Sequence, residues 1–305
     1  MNLFLCEPIH PKAYELINKE VHIIDDLSQI GCCEIIINRN IKMNSEFLKK
    51  CTNLKLLIIH GSGCDDVDAD YLQEHHIQLL NTPGLNSLSV AELIVNMMLQ
   101  LVRKTYVIQN DFMNNKIHGV APSHYGCFEL SNKKVGFIGF GEISKKTMTI
   151  LKYGFNNDIY AYSRSLNQEI AKQYDIHYCK TIEEVLTECD FICINVPLTK
   201  DTYHMISDKE FKLMKNNAYI INTSRGGVID TQALYQALVH KDIAGAGIDV
   251  IEGEPIDNTH PLCLLDNVIY TPHIGGTTDE ALYRIGMKIY EYILDYKNRC
   301  KSNNI

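Results

Sequence analysis

Three polar side chains stand where predicted buried strands end. Arg225 lies in TSRGG after the apolar run YIIN, Glu254 lies in DVIEGEP after AGAGI, and His273 lies in TPHIGG after NVIY. Ligands of parallel sheets bind beyond the carboxyl ends of the strands, so these three loops are predicted to open on one crevice. The sequence therefore predicts that Arg225, Glu254 and His273 meet at a single site.

This set of side chains could support hydride transfer to a 2-keto acid. The carbonyl oxygen needs a proton, which His273 could supply because an unperturbed imidazole titrates near ~6.5. Glu254, if hydrogen-bonded to His273, would favour the imidazolium and fix its tautomer. Arg225 could donate to both the ketone and the carboxylate oxygens from one rigid fork. Asp249 ends its strand where it could accept from the carboxamide of a nicotinamide ring.

Each of these residues alone also has an ordinary structural interpretation. A histidine after a proline is usually a loop residue, an arginine usually pairs at the surface, and Glu254-Pro255 could simply form a turn. Their joint appearance at three strand ends, downstream of a glycine-rich turn, favours the catalytic interpretation.

The glycine-rich turn has the spacing of a dinucleotide-binding motif. KVGFIG is a predicted strand and the chain from Glu142 onward is a predicted helix, so Gly139, Gly141 and Ser144 form GxGxxS between them. Gly139 permits the tight turn, and Gly141 lets backbone amides approach a pyrophosphate at the positive end of the helix. Ser144 replaces a third glycine and is still small enough for close packing. Alone the motif is weak, because glycine-rich turns occur in many α/β proteins.

The residues after the next strand bear on the choice of cofactor. In DIYAYSRS, Asp158 begins the strand and so lies at the edge of the sheet opposite to the one where ligands bind. Ser163, Arg164 and Ser165 follow the carboxyl end of the strand, at the ligand-binding edge. No carboxylate there can accept from a ribose 2′-hydroxyl, while an arginine fork and two hydroxyls suit a 2′-phosphate. The sequence predicts NADPH, favoured roughly ten- to a hundredfold over the more weakly bound NADH. A solvated loop cation is the alternative interpretation of Arg164.

The elements that must position these residues alternate along the whole chain. Short apolar runs such as LFLC, KLLIIH, VGFIG and FICIN are separated by helical stretches, which predicts an α/β class with parallel strands and helices on both sheet faces. The strands are too numerous for one compact sheet. We predict a discontinuous first domain of residues 1–95 plus 277–305 and a second domain of residues 96–276 that carries the dinucleotide turn. A long helix from Ser87 to Phe112 would connect the domains, and residues 114–133 would form a loop or an arm.

Composition excludes several classes of partner. A formal net charge of −8 over 305 residues leaves no basic stripe for nucleic acid. The first residues contain no basic side chain before Lys12 and an apolar run too short for a signal peptide or membrane helix. Eleven scattered cysteines without metal-ligand spacing predict reduced thiols and a cytoplasmic location, and Glu74-His75-His76 is better explained as a wet helix surface than as a metal site.

Six motifs together resemble one known family. NTPGLNSLSVAEL, VGFIGFGEIS, NVPLTKDTYHMI, INTSRGGVID, GIDVIEGEP and TPHIGG occur in the order and spacing of the D-isomer-specific 2-hydroxyacid dehydrogenases, across nearly the whole chain. The resemblance implies two Rossmann-like doubly wound domains with the cofactor and active site in the cleft between them. It implies that the first domain binds a small 2-keto or 2-hydroxy acid, and that Arg225, Glu254 and His273 are the family's arginine, glutamate and histidine.

The resemblance also implies further binding positions. The backbone amides around Gly61, Ser62 and Gly63 would grip the substrate carboxylate. The remaining implied cofactor contacts are Glu142, Ile143, Val196, Pro197, Thr202, Thr223 and Gly275. A homodimer is expected from the likeness and from the 114–133 segment, which could embrace a partner. The Ser163-Arg164 pair resembles NADPH-dependent glyoxylate and hydroxypyruvate reductases.

Two other functions stay open on the sequence. The family includes transcriptional corepressors that keep this fold and use nucleotide binding to set an interaction surface, although no peptide-binding tail is visible here. Dehydrogenases of formate or phosphite share the fold, but their reactions need no proton at a carbonyl, so Glu254 and His273 argue modestly against them. The chain has no tryptophan, and we do not expect the added regulatory domain of some phosphoglycerate dehydrogenases.

Overall fold

A computed structural model describes residues 1–120 and 122–302. Position 121, in the predicted arm, and residues 303–305, in the predicted first domain, lie outside the described residues. The strands are β1 (Asn2–Leu5), β2 (His22–Ile24), β3 (Ile35–Asn38), β4 (Leu56–Ile59), β5 (Gln78–Asn81), β6 (Lys134–Ile138), β7 (Asp158–Tyr162), β8 (His177–Tyr178), β9 (Phe191–Ile194), β10 (Tyr219–Asn222), β11 (Gly245–Ile248) and β12 (Val268–Tyr270).

The helices alternate with these strands. They are α1 (Pro11–Glu20), α2 (Ser45–Leu48), α3 (Ala69–Glu74), α4 (Ser87–Arg103), α5 (Thr105–Met113), α6 (Glu142–Phe155), α7 (Gln168–Tyr174), α8 (Ile182–Glu188), α9 (Asp208–Phe211), α10 (Thr231–Val239) and α11 (Asp279–Ser302). Short 3-10 turns occur at Leu27–Cys32, Ser123–Tyr125, Gly226–Val228 and Pro261–Leu264.

The first of two compact units is built on a five-stranded parallel sheet. It comprises Met1–Asn86 and the segment that begins at Gly276, and its strand order is β2-β1-β3-β4-β5. Every residue of β3 and β4 is buried, which shows that both faces of this sheet are covered. On one face, Ile285, Ile289 and Ile293 of α11 form a stripe at helical spacing that packs with Ile17 of α1.

The second unit, Ser87–Gly275, is built on a seven-stranded sheet. Its order is β12-β11-β10-β9-β6-β7-β8, and each neighbouring pair is parallel. The chain leaves β6 toward one edge through β7 and β8 and returns beside it at β9, so the direction of winding reverses between β6 and β9. Such a reversal opens a crevice at the carboxyl ends of the two strands. The predicted α/β class with parallel sheets covered by helices is confirmed.

The division between the units differs from the predicted one. The predicted boundary at residues 95/96 would cut α4, whereas the structure assigns the whole helix to the second unit. The reason is packing: Ile94, Met97 and Met98 are fully buried in the core of the seven-stranded sheet. The chain leaves this unit after Gly275, one position before the predicted 276/277 boundary.

The long helix predicted from Ser87 to Phe112 is also divided. Lys104 has a left-handed backbone (φ 48°) and separates α4 from α5. Its ammonium donates to the Tyr125 carbonyl at 2.6 Å, which ties this break to the 114–133 segment. That segment contains only a single 3-10 turn within its described part, as expected for a loop or arm.

None of the helices in residues 1–120 and 122–302 combines the length and the apolar character that a membrane span requires. The part of the chain that the structure describes contains no group of three or more His, Cys, Asp or Glu side chains placed to hold a metal ion. His75 instead stacks on Tyr71, with ring centroids 3.9 Å apart, at the end of α3.

A carboxylate joins three strands at the amino edge of the seven-stranded sheet. Asp190, which precedes β9, accepts from the Lys134 amide of β6 (2.9 Å) and from the Lys215 ammonium (2.9 Å). Its own carbonyl accepts from the first amide of β10, that of Tyr219, at 2.9 Å. Partial burial raises the pKa of Asp190, but the hydrogen bonds from Lys134 and Lys215 outweigh burial and leave the pKa below its usual value.

Asp190→Asn is therefore expected to lower the free energy of unfolding at pH 7 by about 1–2 kcal/mol. Since the folded pKa lies below the unfolded value near ~3.9, the stabilisation is complete above that value and is lost as pH falls through the folded pKa. Urea unfolding should show a smaller deficit at pH 3 than at pH 7. Asp158→Asn, an exposed carboxylate at the start of β7, is the matched control. An equal deficit at both pH values would contradict the linkage.

Candidate active site

The glycine-rich turn lies at the reversal point between β6 and β9. Gly139 has φ +94°, and a β-carbon there would lie 2.3 Å from the Asn195 carbonyl oxygen, so only glycine fits. Gly141 caps the N-terminus of α6, and a β-carbon there would meet open space. The amides that open the helix at Glu142 and Ile143 are thus placed as anion donors. The buried Ser144 hydroxyl donates to the Gly139 carbonyl at 2.7 Å.

The Ser163-Arg164-Ser165 segment is a direct neighbour of this turn. The Gly139 amide donates to the Tyr162 carbonyl at 2.8 Å, and Ser163 follows Tyr162 at the carboxyl end of β7. The two serine hydroxyls lie 3.3 Å apart. Arg164 is exposed, and within residues 1–120 and 122–302 its guanidinium has no hydrogen-bond or ion-pair partner. Its charge is therefore available to a ligand at this end of the strand.

The structure brings Glu254 and His273 together, as the sequence predicts. His273 Nδ1 lies 2.8 Å from Glu254 Oε1, while the Ile251 amide donates to Glu254 Oε2 at 3.3 Å. The imidazole is half-exposed and the carboxyl is less so, with side-chain exposures of 50% and 30%. One oxygen of Glu254 is thus fixed by its own turn, and the other is directed at the ring nitrogen.

Arg225 lies on the neighbouring loop, after β10. Its backbone carbonyl accepts from Asn222 Nδ2 at 3.0 Å, and its Nη1 donates to the Ser224 carbonyl at 2.7 Å. Gly226 presses directly on the Glu254 turn, because a β-carbon there would lie 2.1 Å from the Ile251 carbonyl carbon. Close backbone packing therefore holds the Arg225 and Glu254 loops side by side.

Asp249 organises the loop that carries His273. This carboxylate is 2% exposed. It accepts from the Thr271 hydroxyl (2.6 Å) and from the Ile274 (2.8 Å) and Gly275 (2.9 Å) amides. Its carbonyl accepts from the His273 amide at 2.8 Å, and His273 itself has a left-handed backbone (φ 54°). Asp249 thus has a positioning role that the sequence did not suggest, and its contact with a nicotinamide carboxamide stays a prediction.

Two polar side chains, one after β9 and one after β10, have buried atoms without partners among the described residues. Both amide atoms of Asn195 and the Thr223 hydroxyl lack a hydrogen bond within the described chain. They are adjacent because Ile194 of β9 pairs in register with Asn222 of β10. Leaving such atoms unpaired costs about 1–3 kcal/mol each, and the amide and hydroxyl groups of a nicotinamide nucleotide could satisfy them. The residues present therefore fit that cofactor.

Asn195 was missed by the sequence reasoning, which selected Thr223 and the neighbouring Val196 and Pro197. The signal was available, since Asn195 is a polar residue directly after the buried strand FICI. Thr202, also selected, is buried and donates to the Pro197 carbonyl at 2.7 Å, so it shapes this loop from within.

In the first unit, fewer backbone amides are available to bind a substrate carboxylate than the sequence predicts. The Gly61 amide already bonds to the Ile59 carbonyl and the Thr82 hydroxyl, both at 2.9 Å, so Gly61 offers no unused donor. The amides of Ser62 and Gly63 remain as the predicted donors. The preceding His60 is buried close to Arg39, and both effects lower the pKa of His60 to about 4. His60 therefore adds no positive charge beside this loop at neutral pH.

Comparisons with known proteins show the family to which the chain belongs. The NAD binding domain of D-isomer specific 2-hydroxyacid dehydrogenases matches residues 95–275. Glyoxylate reductase from Thermococcus litoralis is 39% identical over 245 residues, which cover 79% of this chain and 73% of that protein. Glyoxylate/hydroxypyruvate reductase B from Cronobacter sakazakii is 31% identical over 264 residues, which cover 86% and 81%.

A solved structure extends the likeness over the whole chain. D-lactate dehydrogenase from Aquifex aeolicus, complexed with NAD and lactic acid, has a TM-score of 0.86 at 29% identity, covering 98% of this chain and 96% of that one. The chain belongs to the D-isomer specific 2-hydroxyacid dehydrogenase family. The resemblance inferred from the six motifs is confirmed.

Proposed function

We propose that this protein reduces a small 2-keto acid, of the glyoxylate or hydroxypyruvate type, to the D-2-hydroxy acid with NADPH. The observation that carries the proposal is the 2.8 Å contact between Glu254 and His273 at the carboxyl edge of the dinucleotide-binding sheet. The names of two relatives, a glyoxylate reductase and a glyoxylate/hydroxypyruvate reductase, support the substrate class. The cysteine usage supports a cytosolic location.

Each residue has a defined task in this reaction. His273 donates Nδ1–H to Glu254, so Nε2 is the nitrogen that gives its proton to the substrate carbonyl oxygen. Arg225 polarises that carbonyl, and the amides of Ser62 and Gly63 hold the substrate carboxylate. NADPH, when bound, supplies the hydride for the carbonyl carbon. In the reverse direction, His273 takes the hydroxyl proton. Delivery of a proton to a carbonyl is not needed for formate or phosphite oxidation, so the Glu254–His273 pair favours the keto acid.

His273→Gln and Arg225→Gln are expected to lower kcat by about 10²-fold or more, because each removes a group that acts only as charge develops on the carbonyl oxygen. The assay is a panel of glyoxylate, hydroxypyruvate and pyruvate with NADPH and with NADH. NADPH affinity, measured from the fluorescence of the bound nucleotide, should stay within about threefold. His75→Gln, an exposed imidazole in the first unit, is the control. Full turnover by His273→Gln on every keto acid would contradict the proposal.

The preference for NADPH rests on Arg164 and its two serine neighbours. Arg164 has no partner within the described residues, and it follows the strand beside the glycine turn. A 2′-phosphate offers a fork of oxygens to this guanidinium and acceptors to both hydroxyls. With NADH the same guanidinium would gain no phosphate contact.

Arg164→Ala is expected to bring the ratio of kcat/KM for NADPH over NADH down by about ten- to a hundredfold, leaving the NADH value nearly unchanged. Arg164→Lys, which keeps the charge but loses the fork, should fall between. Lys172→Ala removes an exposed cation on α7 and controls for net charge. An unchanged ratio in Arg164→Ala would show that Arg164 is a solvated loop cation.

The proposed assembly is a homodimer that uses the surface of α5. None of the residues of this helix is buried, and Tyr106, Phe112 and Met113 are 61%, 64% and 70% exposed. Val120, in the segment that follows, is 96% exposed. Large apolar side chains grouped on one helix and its extension are typical of a surface covered by another chain.

Phe112→Glu is expected to convert the dimer to a monomer, because it would bury a charge in an apolar contact. Sedimentation velocity at micromolar concentration measures the change, and circular dichroism checks that the fold is retained. Tyr153→Glu alters an aromatic of α6 that is 76% exposed and should leave the mass unchanged. A wild-type protein that sediments as a monomer would contradict this assembly.

A further inference from the structure

A second group of polar side chains adjoins the Glu254 turn without belonging to the three proposed catalytic residues. We call Tyr203, His204 and Glu252 the 203–204–252 network. The Tyr203 hydroxyl donates to Glu252 Oε1 at 2.9 Å. His204 Nε2 lies 3.1 Å from each oxygen of the same carboxylate. Both rings come from the loop after β9, so the network joins that loop to the loop after β11.

The imidazole of His204 is fixed on its other side as well. Its Nδ1 faces Asp230 Oδ2 at 3.6 Å, while Asp230 Oδ1 caps the first turn of α10. The Tyr203 and His204 rings stack with centroids 4.0 Å apart and planes 15° apart. The His204 amide donates to the Gly227 carbonyl at 2.8 Å, which fixes the backbone beside the Arg225 loop. His204 therefore reaches Glu252 from an anchored position.

Glu252 is separated from Glu254 by a single residue in a tight turn. The Glu254 carboxylate accepts from the Ile251 amide (3.3 Å), and the Ile251 carbonyl accepts from the Glu254 amide (3.4 Å). Gly226 packs directly against this turn, since a β-carbon there would lie 2.4 Å from the Glu252 nitrogen. A displacement of Glu252 would thus be transmitted through Ile251 to the oxygen that Glu254 presents to His273.

The negative charges near these loops also favour an intact network of hydrogen-bond donors around Glu252. Asp230, Glu252 and Glu254 place three carboxylates near these loops, and the Glu252 side chain is 36% exposed. The Tyr203 phenol is protonated at neutral pH by its ordinary pKa near ~10, and the hydrogen bond to Glu252 raises that pKa further. Without Tyr203 and His204, Glu252 would lose its described donors and would turn toward water.

We propose that Tyr203, His204 and Glu252 are positioning residues that hold the Glu254 turn so that its carboxylate meets His273 in the productive geometry. This inference rests on the proposed roles of Glu254 and His273. Neither ring needs to touch substrate or cofactor for it to hold. The expected consequence is an effect on the rate of turnover without an effect on binding.

The test is a double-mutant cycle between His204→Asn and Glu254→Ala. Asparagine suits the left-handed backbone at His204 (φ 49°) but is too short to reach Glu252. His204→Asn alone is expected to lower kcat about tenfold, with the KM values for keto acid and NADPH within about twofold. In the Glu254→Ala background the same change should lower kcat less than about twofold, because no carboxylate remains to be positioned.

Two further variants make the test independent of one substitution. Tyr203→Phe removes a single hydrogen bond to Glu252 and should give a smaller fall in kcat, and Glu252→Gln should also lower kcat. His177→Asn is the matched control, since His177 stacks on Tyr160 in the same way (4.4 Å, 19°) but on β8. It should leave kcat unchanged. Thermal unfolding of each variant confirms that it is folded.

The outcomes separate the two proposals. Equal falls in kcat for His204→Asn in both backgrounds, or no fall in the wild-type background, would overturn the positioning role while leaving the proposed function intact. Full activity of Glu254→Ala alone would overturn the proposed role of Glu254 and, with it, this inference. Loss of turnover in Glu254→Ala together with non-additivity supports both.

Discussion

The buried carboxylate of Asp249 is the interaction on which the candidate site depends. It accepts three hydrogen bonds from the Thr271, Ile274 and Gly275 positions, and its backbone accepts from His273. A buried carboxyl group is tolerated when its oxygens accept hydrogen bonds, and the chain after β12 supplies those donors by closing around Asp249. The backbone on which the proposed acid stands is thus set by the core of the sheet and not by the surface.

Close backbone approach is the second constraint, and glycine provides it twice. Gly139 lets β6 and β9 come together at the reversal point, and Gly226 lets the loops after β10 and β11 press on each other. At both positions a β-carbon would come within 2.4 Å of a backbone atom. The polar side chains carried by these loops therefore gather along one sheet edge, because their main chains are packed and not merely adjacent in sequence.

Much of this could be predicted from residue types at the ends of apolar runs. The parallel α/β class followed from the alternation of strands and helices, and the contact between Glu254 and His273 followed from the rule that strand ends share an edge. The same rule applied to FICI would have found Asn195. The role of Asp249 could not be predicted, since a sequence does not tell whether a carboxylate at a strand end faces a ligand or its own loop. Likewise, the occupied Gly61 amide and the left-handed Lys104 depend on tertiary hydrogen bonds to Thr82 and Tyr125 that no local pattern encodes.

The serine that stands in for a third glycine in the dinucleotide turn changes the character of that turn. Its hydroxyl donates to the Gly139 carbonyl in the interior, so a backbone acceptor of the turn is paired within the protein. The backbone amides at the positive end of α6 are the donors that an anion would meet. The substitution thus does more than tolerate extra bulk: it adds a buried hydrogen bond that ties the first turn of α6 to the end of β6, and so helps to fix the amides of Glu142 and Ile143.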